Sequence, residues 1–506
     1  MIELLQQKLQ AVEQKLQTAE LQVLRLEEQL RRRRIEKYGP GSEKLSTLQL
    51  ELLEQEPGVS AAEVQAEGER PALEGEIAEI LVREHKRRKH PGRQTLSPDL
   101  PRVERVIPCP AEQCVCQHCR QETPVIGYEV SEQLMVEPAK YYVLVTKREK
   151  RACPCGGNGV VTAPAPARII EKSLVGDAVI VDTVIRKYCD HLPLYRQSRI
   201  LEREAGLDLS RATLDGWVMQ VGQLLIPVVL GMKSELLQGG YIQADETPVA
   251  VQMHDGRGHN HQAYLWQYSR PGGAVIFDFR LGRSREGPQQ FLGSYGGLLQ
   301  TDGYQAYDQV GGPGLVHAGC WTHARRGFAD VVKLNPGDPV ALPIVRQINE
   351  LFAIDATARE QALDLEARHA LRQEKAPAVL AAIRTQIEKA QAGALPGSAL
   401  DHACQYTVGL WPKLTRFLEH PQLELSNNWA ENSMRPVALG RKNWIHVGSP
   451  QAGPKVAAIL SVVETCRRNM IPVREYLSAV LPGLANRAVQ TLANLLPIPW
   501  AARRQS

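Results

Sequence analysis

Three consecutive runs rich in β-branched and aromatic residues read YIQADETPVAVQ (241–252), AYLWQYSR (263–270) and AVIFDFRL (274–281). Gly- and His-rich segments separate them, which predicts three antiparallel strands joined as a meander. Two further strand-like runs, LLQTDG (298–303) and GLVHAG (314–319), follow with helical segments between and after them. A meander followed by alternating helix and strand is the order of a ribonuclease-H-like α/β fold.

Three acidic residues lie on elements that such a fold brings together. Asp245 is in the middle of the first run, where an unpaired charge is costly, and Asp302 ends the fourth. The first and fourth strands would be neighbours, so their carboxylates should meet at one end of the sheet. The third acid should come from a late helix. Glu431 is the candidate, and Glu464 is its rival, for which a buried structural ion pair is an equal alternative.

Carboxylates that converge from separate elements bind hard divalent cations. Asp245, Asp302 and Glu431 could hold two Mg²⁺ or Mn²⁺ ions about 3.5–4 Å apart, which would support in-line attack on phosphorus. Basic side chains nearby would then bind the phosphates of a nucleic acid. The candidates for this role are Arg325, Arg326, Arg435, Arg441 and Lys442.

Other polar residues near these acids have simpler interpretations. Glu246 should point to the opposite face of its strand from its neighbour, and Asp308 should lie on a helix surface. His317, Cys320 and His323 resemble a metal site in composition. We instead expect Cys320 and His323 to begin a helix that packs beside the acids.

Six of the ten cysteines lie between positions 109 and 155, and four of these form two close pairs separated by a strand-like segment. Four thiolates from two such pairs can form a tetrahedron around one structural Zn²⁺, although a cluster of free thiols is the alternative. The expected zinc ligands are Cys116, Cys119, Cys153 and Cys155. The single residue between the last two leaves other ligands open. These are Cys109, Cys114 and His118.

Residues 2–30 repeat apolar side chains in steps of three and four and contain neither Gly nor Pro. This 3.5-residue repeat is typical of helices that wind around each other, so we expect a homodimer through residues 2–30. The alternative is a single amphipathic helix packed on its own domain.

Further on, residues 161–238 read as helical, with Ser210 as a candidate N-cap. A helix-turn-helix that contacts DNA and a packed hairpin that does not are both consistent with this pattern.

These patterns predict a multidomain chain. Its expected regions are an α-helical coiled coil (1–50), a linker (51–99), a small zinc-ribbon-like β module (100–160), a helical DNA-binding region with helix-turn-helix character (161–238), a ribonuclease-H-like α/β catalytic core (239–330 and 426–480), an α-helical insertion (331–425) and a C-terminal tail (481–506).

The charge is nearly balanced overall but not locally. The 506 residues carry 60 Lys+Arg and 56 Asp+Glu, whereas residues 421–506 carry 10 basic and 4 acidic side chains. The local surplus favours a polyanionic partner. The sequence shows no run of about 18 apolar residues and no secretion signal, so we expect no membrane contact. The predicted location is the bacterial cytoplasm, in association with the nucleoid.

Four long motifs occur together in this chain. They are QADETPV (243–249), LQTDGYQAYD (299–308), CWTHARRGFAD (320–330) and NNWAENSMRPVALGRKNWIHVGS (427–449). In combination they resemble the DDE transposases of the insertion-sequence-66 family. The zipper with GSEKL at 41–45 and the cysteine module extend the resemblance over nearly the whole chain. It implies that Asp245, Asp302 and Glu431 are the catalytic triad.

Two positions depart from the family pattern. Cys153-Pro-Cys155 is tighter than the usual second cysteine pair, and Tyr38-Gly39-Pro40-Gly41 stands where a basic residue more often precedes Ser-Glu-Lys. The first departure leaves Cys155 uncertain as a zinc ligand.

The resemblance implies a transposase of a bacterial mobile element. It would bind both ends of an insertion sequence, cut phosphodiester bonds and join the 3′ ends to target DNA, together with small accessory proteins of the same element. Two alternatives are a catalytically silent DNA-binding protein derived from a transposase and a metal-dependent nuclease without strand transfer. The presence of all three acids argues against the first, and the zipper, which suits the pairing of two ends, argues against the second.

Overall fold

The computed structural model describes residues 2–38, 140–152, 160–256, 258–335 and 337–505, together with isolated positions between 102 and 133. All four expected zinc ligands, and the alternatives at positions 109 and 118, lie outside the described residues. The chain divides into two compact units, residues 1–78 with 146–506, and residues 79–145. Every described helix and strand belongs to the first unit.

Five strands form a mixed sheet. They are β3 (Tyr241–Val251), β4 (His261–Ser269), β5 (Val275–Arg280), β6 (Leu298–Gln300) and β7 (Val316–Ala318). Their spatial order is β5-β4-β3-β6-β7, in which the first three strands are antiparallel neighbours and β3, β6 and β7 run parallel. All five strand-like runs of the sequence therefore form strands, and the first and fourth of them are neighbours.

Helix α12 (Gly453–Arg468) covers the outer side of edge strand β5. Ser461 Oγ accepts a hydrogen bond from the Phe277 amide at 2.8 Å. Thr465 Oγ1 accepts one from the Val275 amide at 2.9 Å and donates to the Val275 carbonyl at 3.0 Å. These hydroxyls satisfy backbone groups that an edge strand would otherwise leave unpaired.

Three helices precede the sheet, namely α2 (Asp177–Tyr188), α3 (Leu194–Ala205) and α4 (Arg211–Gln238). Ser210 Oγ accepts from the Thr213 amide at 3.1 Å, so the predicted N-cap is confirmed. Among the described residues, α4 alone has the length and apolar composition that would also suit a membrane span. It packs against α2, α3 and α12, and apolar core helices of this kind meet the same criterion.

In the segment expected to be a helical insertion, the described residues form helices joined by short turns, and none of them belongs to a strand. After α5 (Glu286–Leu292) and the strands β6 and β7, the chain forms α6 (Trp321–Leu334), α7 (Ala341–Glu360), α8 (Leu365–Gly393), α9 (Ala399–Gly409) and α10 (Trp411–Leu414). Apolar side chains of these helices share one core that also reaches β6 and β7. The insertion is thus packed onto the parallel half of the sheet.

A buried ion network stabilises the insertion. Asp355 on α7 accepts hydrogen bonds from Arg372 at 2.8 and 2.7 Å and from Arg368 at 2.9 Å. Glu424 pairs with Arg359 and with Arg368. Burial would raise the pKa of Asp355, but Arg372 and Arg368 outweigh it and hold that pKa below its usual range. Each acid in the network therefore has an arginine partner.

The N-terminal helix α1 (Ile2–Tyr38) leaves its apolar repeat uncovered. Leu16, Val23, Leu26 and Leu30 are 59%, 55%, 52% and 58% exposed, and they follow the three-and-four spacing of the predicted coiled coil. No contact within the described part of this chain buries that stripe.

The short strands β1 (Lys150–Ala152) and β2 (Val160–Thr162) pair in antiparallel fashion further along the chain.

Most of the described residues in 481–505, within the expected C-terminal tail, form short helices. After α11 (Asn428–Trp444), α12 and α13 (Val473–Val480), two 3₁₀ helices lead into α14 (Pro497–Gln505). The Tyr476 hydroxyl donates to the Leu495 carbonyl at 2.6 Å, and the Trp500 ring meets the Tyr476 ring edge-on at 5.3 Å. Burial of these aromatic rings fixes the segment against α13.

Candidate active site

Asp245 and Asp302 lie at the same end of the sheet because of the pairing between β3 and β6. These parallel strands align Gln243 with Gln300. Asp245 lies two residues further along β3, and Asp302 lies two residues past Gln300, the last residue of β6. The chain turns immediately after Asp302. There Gly303 has φ +92°, and a Cβ at this position would come within 2.4 Å of Leu410 Cδ1. Only glycine fits this turn, which holds Asp302 against the insertion.

Glu431 reaches the same place from the first turn of α11. The link is Gln243, which is buried. Its Nε2 donates to the Ser426 carbonyl at 3.0 Å, and its Oε1 accepts from the Ala430 amide at 3.3 Å. Gln300 donates to the Glu424 carbonyl at 2.7 Å. Two strand glutamines thus fix the start of the helix that carries the third acid.

Sequence reasoning missed these two glutamines as positioning residues. A signal was present, because Gln243-Ala-Asp245 and Gln300-Thr-Asp302 repeat the same Gln-x-Asp pattern. Gln243 and Asp245 lie two apart on β3 and therefore share a face, and Asp302 follows Gln300 just past the end of β6. The pattern indicates a shared support for the two acids.

Burial and neighbouring carboxylates together shape the electrostatics of Asp245. The pKa of Asp245 is raised well above its usual value, first by burial and then by the carboxylates of Glu431, Glu246 and Asp302. One hydrogen bond, from the Glu246 amide to Asp245 Oδ1 at 2.9 Å, opposes this effect. The carboxylates therefore form an undercompensated anionic cluster, which favours bound cations.

Glu246 is separated from the cluster by its own partners. Arg283 donates to Glu246 Oε1 at 2.9 and 2.6 Å, and the Tyr307 hydroxyl donates to Oε2 at 2.9 Å. Burial nevertheless raises the pKa of Glu246. With both oxygens engaged, Glu246 is not free to act as a ligand, in line with the expectation from strand geometry.

Glu431 faces the first two turns of α6. His323 Nδ1 lies 3.6 Å from Glu431 Oε1, and Arg326 Nη2 lies 3.6 Å from Oε2. The helix begins at Trp321 with Cys320 as its N-cap, as the sequence led us to expect. Burial would lower the pKa of His323, but Cys320 and Glu431 outweigh it and raise that pKa to about 10. This end of α6 therefore packs directly against the third acid.

The structure distributes the expected phosphate-binding residues unevenly. Arg325 is only 6% exposed, and its Nε donates to Asn349 Oδ1 at 2.7 Å. Because α6 presents Arg325 to α7, its side chain is largely covered, and its contact with phosphate stays a prediction. Arg326, by contrast, has a side chain that is 44% exposed beside Glu431.

The remaining candidates lie on α11. Arg435 is one turn beyond Glu431 and half-buried. Arg441 donates to Thr247 Oγ1 at 2.9 Å and to the Pro248 carbonyl at 2.6 Å, which ties the end of α11 to β3. Lys442 is exposed. Of these cations, Arg441 has a clear structural task, and Lys442 points away from the packed interior.

The rival acid Glu464 has a structural role. It is buried on α12, where Arg467 and Arg468 donate to its two oxygens at 3.0 and 2.8 Å.

Asp308, expected on a helix surface, instead pairs with Lys413 at 2.5 Å and lies 3.5 Å from His317. Burial and Lys413 lower the pKa of His317 to about 4. These residues hold the insertion to the sheet.

Chemically, the site offers three carboxylates from three separate elements and few compensating cations. Such a set suits hard divalent cations, which prefer oxygen ligands. Exposed basic side chains at its margin suit an anionic substrate.

Comparison with known families covers most of the chain. The description "Transposase IS66 family" matches residues 172–455. Residues 25–105 match "Transposase C of IS166 homeodomain", and residues 113–156 match "zinc-finger binding domain of transposase IS66". The zinc-finger match spans all four expected zinc ligands, which supports zinc binding by that module.

Similar proteins occur in Sinorhizobium fredii. Uncharacterized protein y4jD is 32% identical over 420 residues, which cover 80% of this chain and 81% of that protein. Uncharacterized protein y4hP is 30% identical over 510 residues, which cover 94% of this chain and 89% of that protein. With one family description covering more than half of the residues and relatives of this extent, the chain belongs to the IS66 family of transposases.

Proposed function

We propose that this protein is a DNA transposase that binds the ends of an insertion sequence, cuts phosphodiester bonds with divalent metal ions and transfers the 3′ ends to target DNA. The observation that carries the proposal is the cluster of Asp245, Asp302 and Glu431, in which burial first and the neighbouring carboxylates second raise the pKa of Asp245. Arg326 lies beside Glu431, and a bound cation would relieve the remaining repulsion around Asp245.

The strand order supports a ribonuclease-H-like catalytic core. β5-β4-β3-β6-β7, with an antiparallel meander followed by two parallel strands, matches the order that the sequence predicted. In this arrangement Asp245 in β3 and Asp302 just after β6 face a helix that returns after the insertion. The core would comprise residues 239–330 and 426–480, separated by the insertion 331–425.

Asp245, Asp302 and Glu431 would hold two Mg²⁺ or Mn²⁺ ions. Such ions activate an attacking oxygen and stabilise a leaving oxygen during transfer at phosphorus. Within the chain, Gln243 and Gln300 orient the strand ends and α11, so that the carboxylates converge before substrate arrives. Arg326, Arg435 and Lys442 would bind the phosphates that flank the scissile bond.

The other regions would assemble the DNA. The zinc module, with Cys116, Cys119, Cys153 and Cys155 as ligands, and the helices of residues 161–238 would recognise the element ends. The exposed stripe of α1 would pair two chains, because its repeat has no cover within the described part of the chain. We place the protein in the bacterial cytoplasm on nucleoid DNA, with small accessory proteins of the same element as further partners.

The test is an end-cleavage and strand-joining assay with purified full-length protein, Mg²⁺ or Mn²⁺, and DNA from both flanks of its gene. We expect metal-dependent nicking and joined product, both reduced at least about 10³-fold in Asp245→Asn and Glu431→Gln. Glu464→Gln is the matched control, since Glu464 pairs with Arg467 and Arg468 away from the cluster. The activity of Glu464→Gln should fall only in proportion to any loss of folded protein.

Other outcomes would redirect the proposal. Cleavage without joining would favour a metal-dependent nuclease. DNA binding without cleavage in either metal would favour a catalytically silent DNA-binding protein. Loss of DNA binding in Asp245→Asn would mean that the substitution damages the fold, and the assigned role would then be unsupported.

A separate measurement tests the zinc module. Cys116→Ser combined with Cys119→Ser should lose about one zinc ion per chain, as determined by metal analysis of purified protein. Unchanged zinc content would exclude these two cysteines as ligands.

A further inference from the structure

We propose that Cys320, His323 and Glu431 form a second transition-metal site, of the kind that Zn²⁺ occupies, and that this site competes with the carboxylate cluster for Glu431. One ligand atom from each of the three residues lies within 4.8 Å of the other two. The site uses two residues, Cys320 and His323, that have no part in the proposed chemistry. Its metal binding stands independently of that chemistry, whereas its effect on activity rests on the proposed function.

The backbone holds the three ligands on rigid elements. Cys320 precedes α6, His323 lies in the first turn of that helix, and Glu431 lies in the first turn of α11. The Trp321 amide donates to the Leu425 carbonyl at 2.8 Å, which joins the segments that lead into the two helices. Ligands on packed helix ends are positioned more accurately than ligands on loops.

Two of the ligand atoms lack a hydrogen-bond partner within the described part of the chain. His323 Nδ1 and Glu431 Oε1 are both buried, and neither has a hydrogen-bond partner among the described residues. Their separation of 3.6 Å is too long for a hydrogen bond between them. Buried polar atoms are almost always paired, so two orphans that face each other indicate a group that binds between them.

The sulfur environment also suits a metal thiolate. Cys320 is fully buried and occupies the N-cap of α6, where the helix dipole favours negative charge. The Asn427 amide donates to Cys320 Sγ at 3.5 Å. A backbone donor and a helix N-terminus together stabilise an anionic ligand in a buried place.

The spacing and chemistry of the ligands select the metal. Around a tetrahedral zinc ion, S, N and O ligands at about 2.0–2.3 Å are about 3.3–3.6 Å from one another. The His323–Glu431 pair already has this separation, so only a modest side-chain rotation would close the site. Thiolate and imidazole favour Zn²⁺ or Co²⁺, whereas Mg²⁺ prefers oxygen. Three protein ligands would leave one position for water.

Occupation of this site would have a functional consequence. Glu431 contributes to the repulsion that raises the pKa of Asp245, so it faces both groups of ligands. A Zn²⁺ ion bound through Glu431 would reduce the negative charge available to the oxygen-binding cations. Zinc would therefore act as an inhibitor that works through Cys320 and His323.

Metal binding is tested first, with the full-length chain stripped of metal and titrated with Co²⁺. The readouts are the thiolate-to-cobalt charge-transfer absorbance and the number of ions bound per chain. Cys320→Ala and His323→Ala should each bind about one ion fewer than the unaltered chain. Cys466→Ala is the matched control, because Cys466 is equally buried but belongs to α12.

Loss of even an outer-shell partner costs about 10–100-fold in metal affinity, so loss of a direct ligand should cost at least about 100-fold. The cysteines between positions 109 and 155 are present in every variant, so the difference between titrations isolates this site. Titrations of Cys320→Ala and His323→Ala that match the unaltered chain would overturn the proposal. Because the side chain of His323 is 23% exposed, His323→Ala keeps the test valid if Cys320→Ala fails to fold.

The inhibitory role is tested by the ratio of cleavage with and without added Zn²⁺, at constant Mg²⁺, within each variant. We expect at least about tenfold inhibition of the unaltered chain and less than about twofold inhibition of Cys320→Ala. Equal inhibition of both would overturn the competition for Glu431. A chain that binds Co²⁺ through Cys320 but never cleaves DNA would refute the proposed function while leaving the metal site intact.

Discussion

Two groups of buried charges lie in this molecule, and they are built on opposite principles. In the insertion, Asp355 and Glu424 each meet arginine side chains, and their pKa values are held below the usual range despite burial. At the end of the sheet, Asp245 meets mainly other carboxylates, and its pKa is raised. In the first group, arginine side chains of the same chain compensate the carboxylates. In the second group, the carboxylates are left for a bound cation to compensate.

The difference separates structural from functional charge. A buried acid with arginine partners contributes to the fold, and removal of one partner exposes an uncompensated charge. A buried acid among acids costs stability, and proteins retain such an arrangement where it performs a task. The contrast is also our reason for proposing Glu431 as the third acid, because Glu464 has two arginine partners, whereas Glu431 adds to the charge repulsion on Asp245.

The largest effect on stability should follow from breaking the compensated network. Arg372→Met leaves the Asp355 charge buried with Arg368 alone, and we expect a loss of about 3–5 kcal/mol in the free energy of unfolding. Urea denaturation measures it. The double variant Arg372→Met/Asp355→Leu should recover most of the loss. If Arg372→Met were as stable as the unaltered chain, Arg372 would not compensate the buried charge of Asp355.

A smaller loss in the free energy of unfolding is expected when the amide network that supports the acids is broken. Gln243→Leu leaves partners of a buried amide unsatisfied, which should cost about 1–3 kcal/mol and also slow cleavage, because α11 is no longer fixed to β3. The matched control is Gln267→Leu on the adjacent strand. Gln267 is fully buried, and its amide has no hydrogen-bond partner among the described residues. This control should be neutral or stabilising, and equal losses for both variants would contradict the positioning role.

Substitution of an acid in the cluster should raise the stability of the fold, whereas the two preceding substitutions should lower it. Asp245→Asn removes repulsion, so in the absence of metal we expect a thermal midpoint higher by on the order of 2 °C. Because the folded-state pKa of Asp245 is raised, its penalty is present above that pKa and disappears as the pH falls through it. The difference between the two chains should therefore be greatest near neutral pH and vanish in acid.

Calorimetry with added Mg²⁺ provides the control for this prediction. The ion should raise the thermal midpoint of the unaltered chain and leave Asp245→Asn nearly unchanged, because a bound ligand stabilises only the state that binds it. A lower midpoint for metal-free Asp245→Asn would mean that Asp245 is compensated after all.

The smallest effect is expected at an exposed ion pair. Arg416 and Glu419 lie 2.7 Å apart, with side chains 40% and 59% exposed. Arg416→Ala should cost only about 0.2–0.5 kcal/mol, because water and salt screen the pair. A loss comparable to that of Arg372→Met would show that burial does not explain the contrast between compensated and exposed pairs.

Much of the fold could be predicted from local pattern. β-Branched and aromatic runs identified all five strands, and Ser210 identified the start of α4, because such signals depend only on neighbours in the chain. The site was harder to predict. Arg325 and Arg326 are adjacent in sequence, yet the first is buried against Asn349 and the second lies beside Glu431.

By itself, the sequence determined the secondary structure, the positions of the candidate acids, the apolar repeat of α1 and membership of a transposase family. Tertiary structure decided which charges meet. Cys320 and Glu431 are 111 positions apart, and Gln243 reaches Ala430 across 187. Whether a carboxylate there meets an arginine or another carboxylate depends on how helices return to the sheet. Local sequence carries no information on that encounter, because the energy of a charge depends on all the groups around it in space.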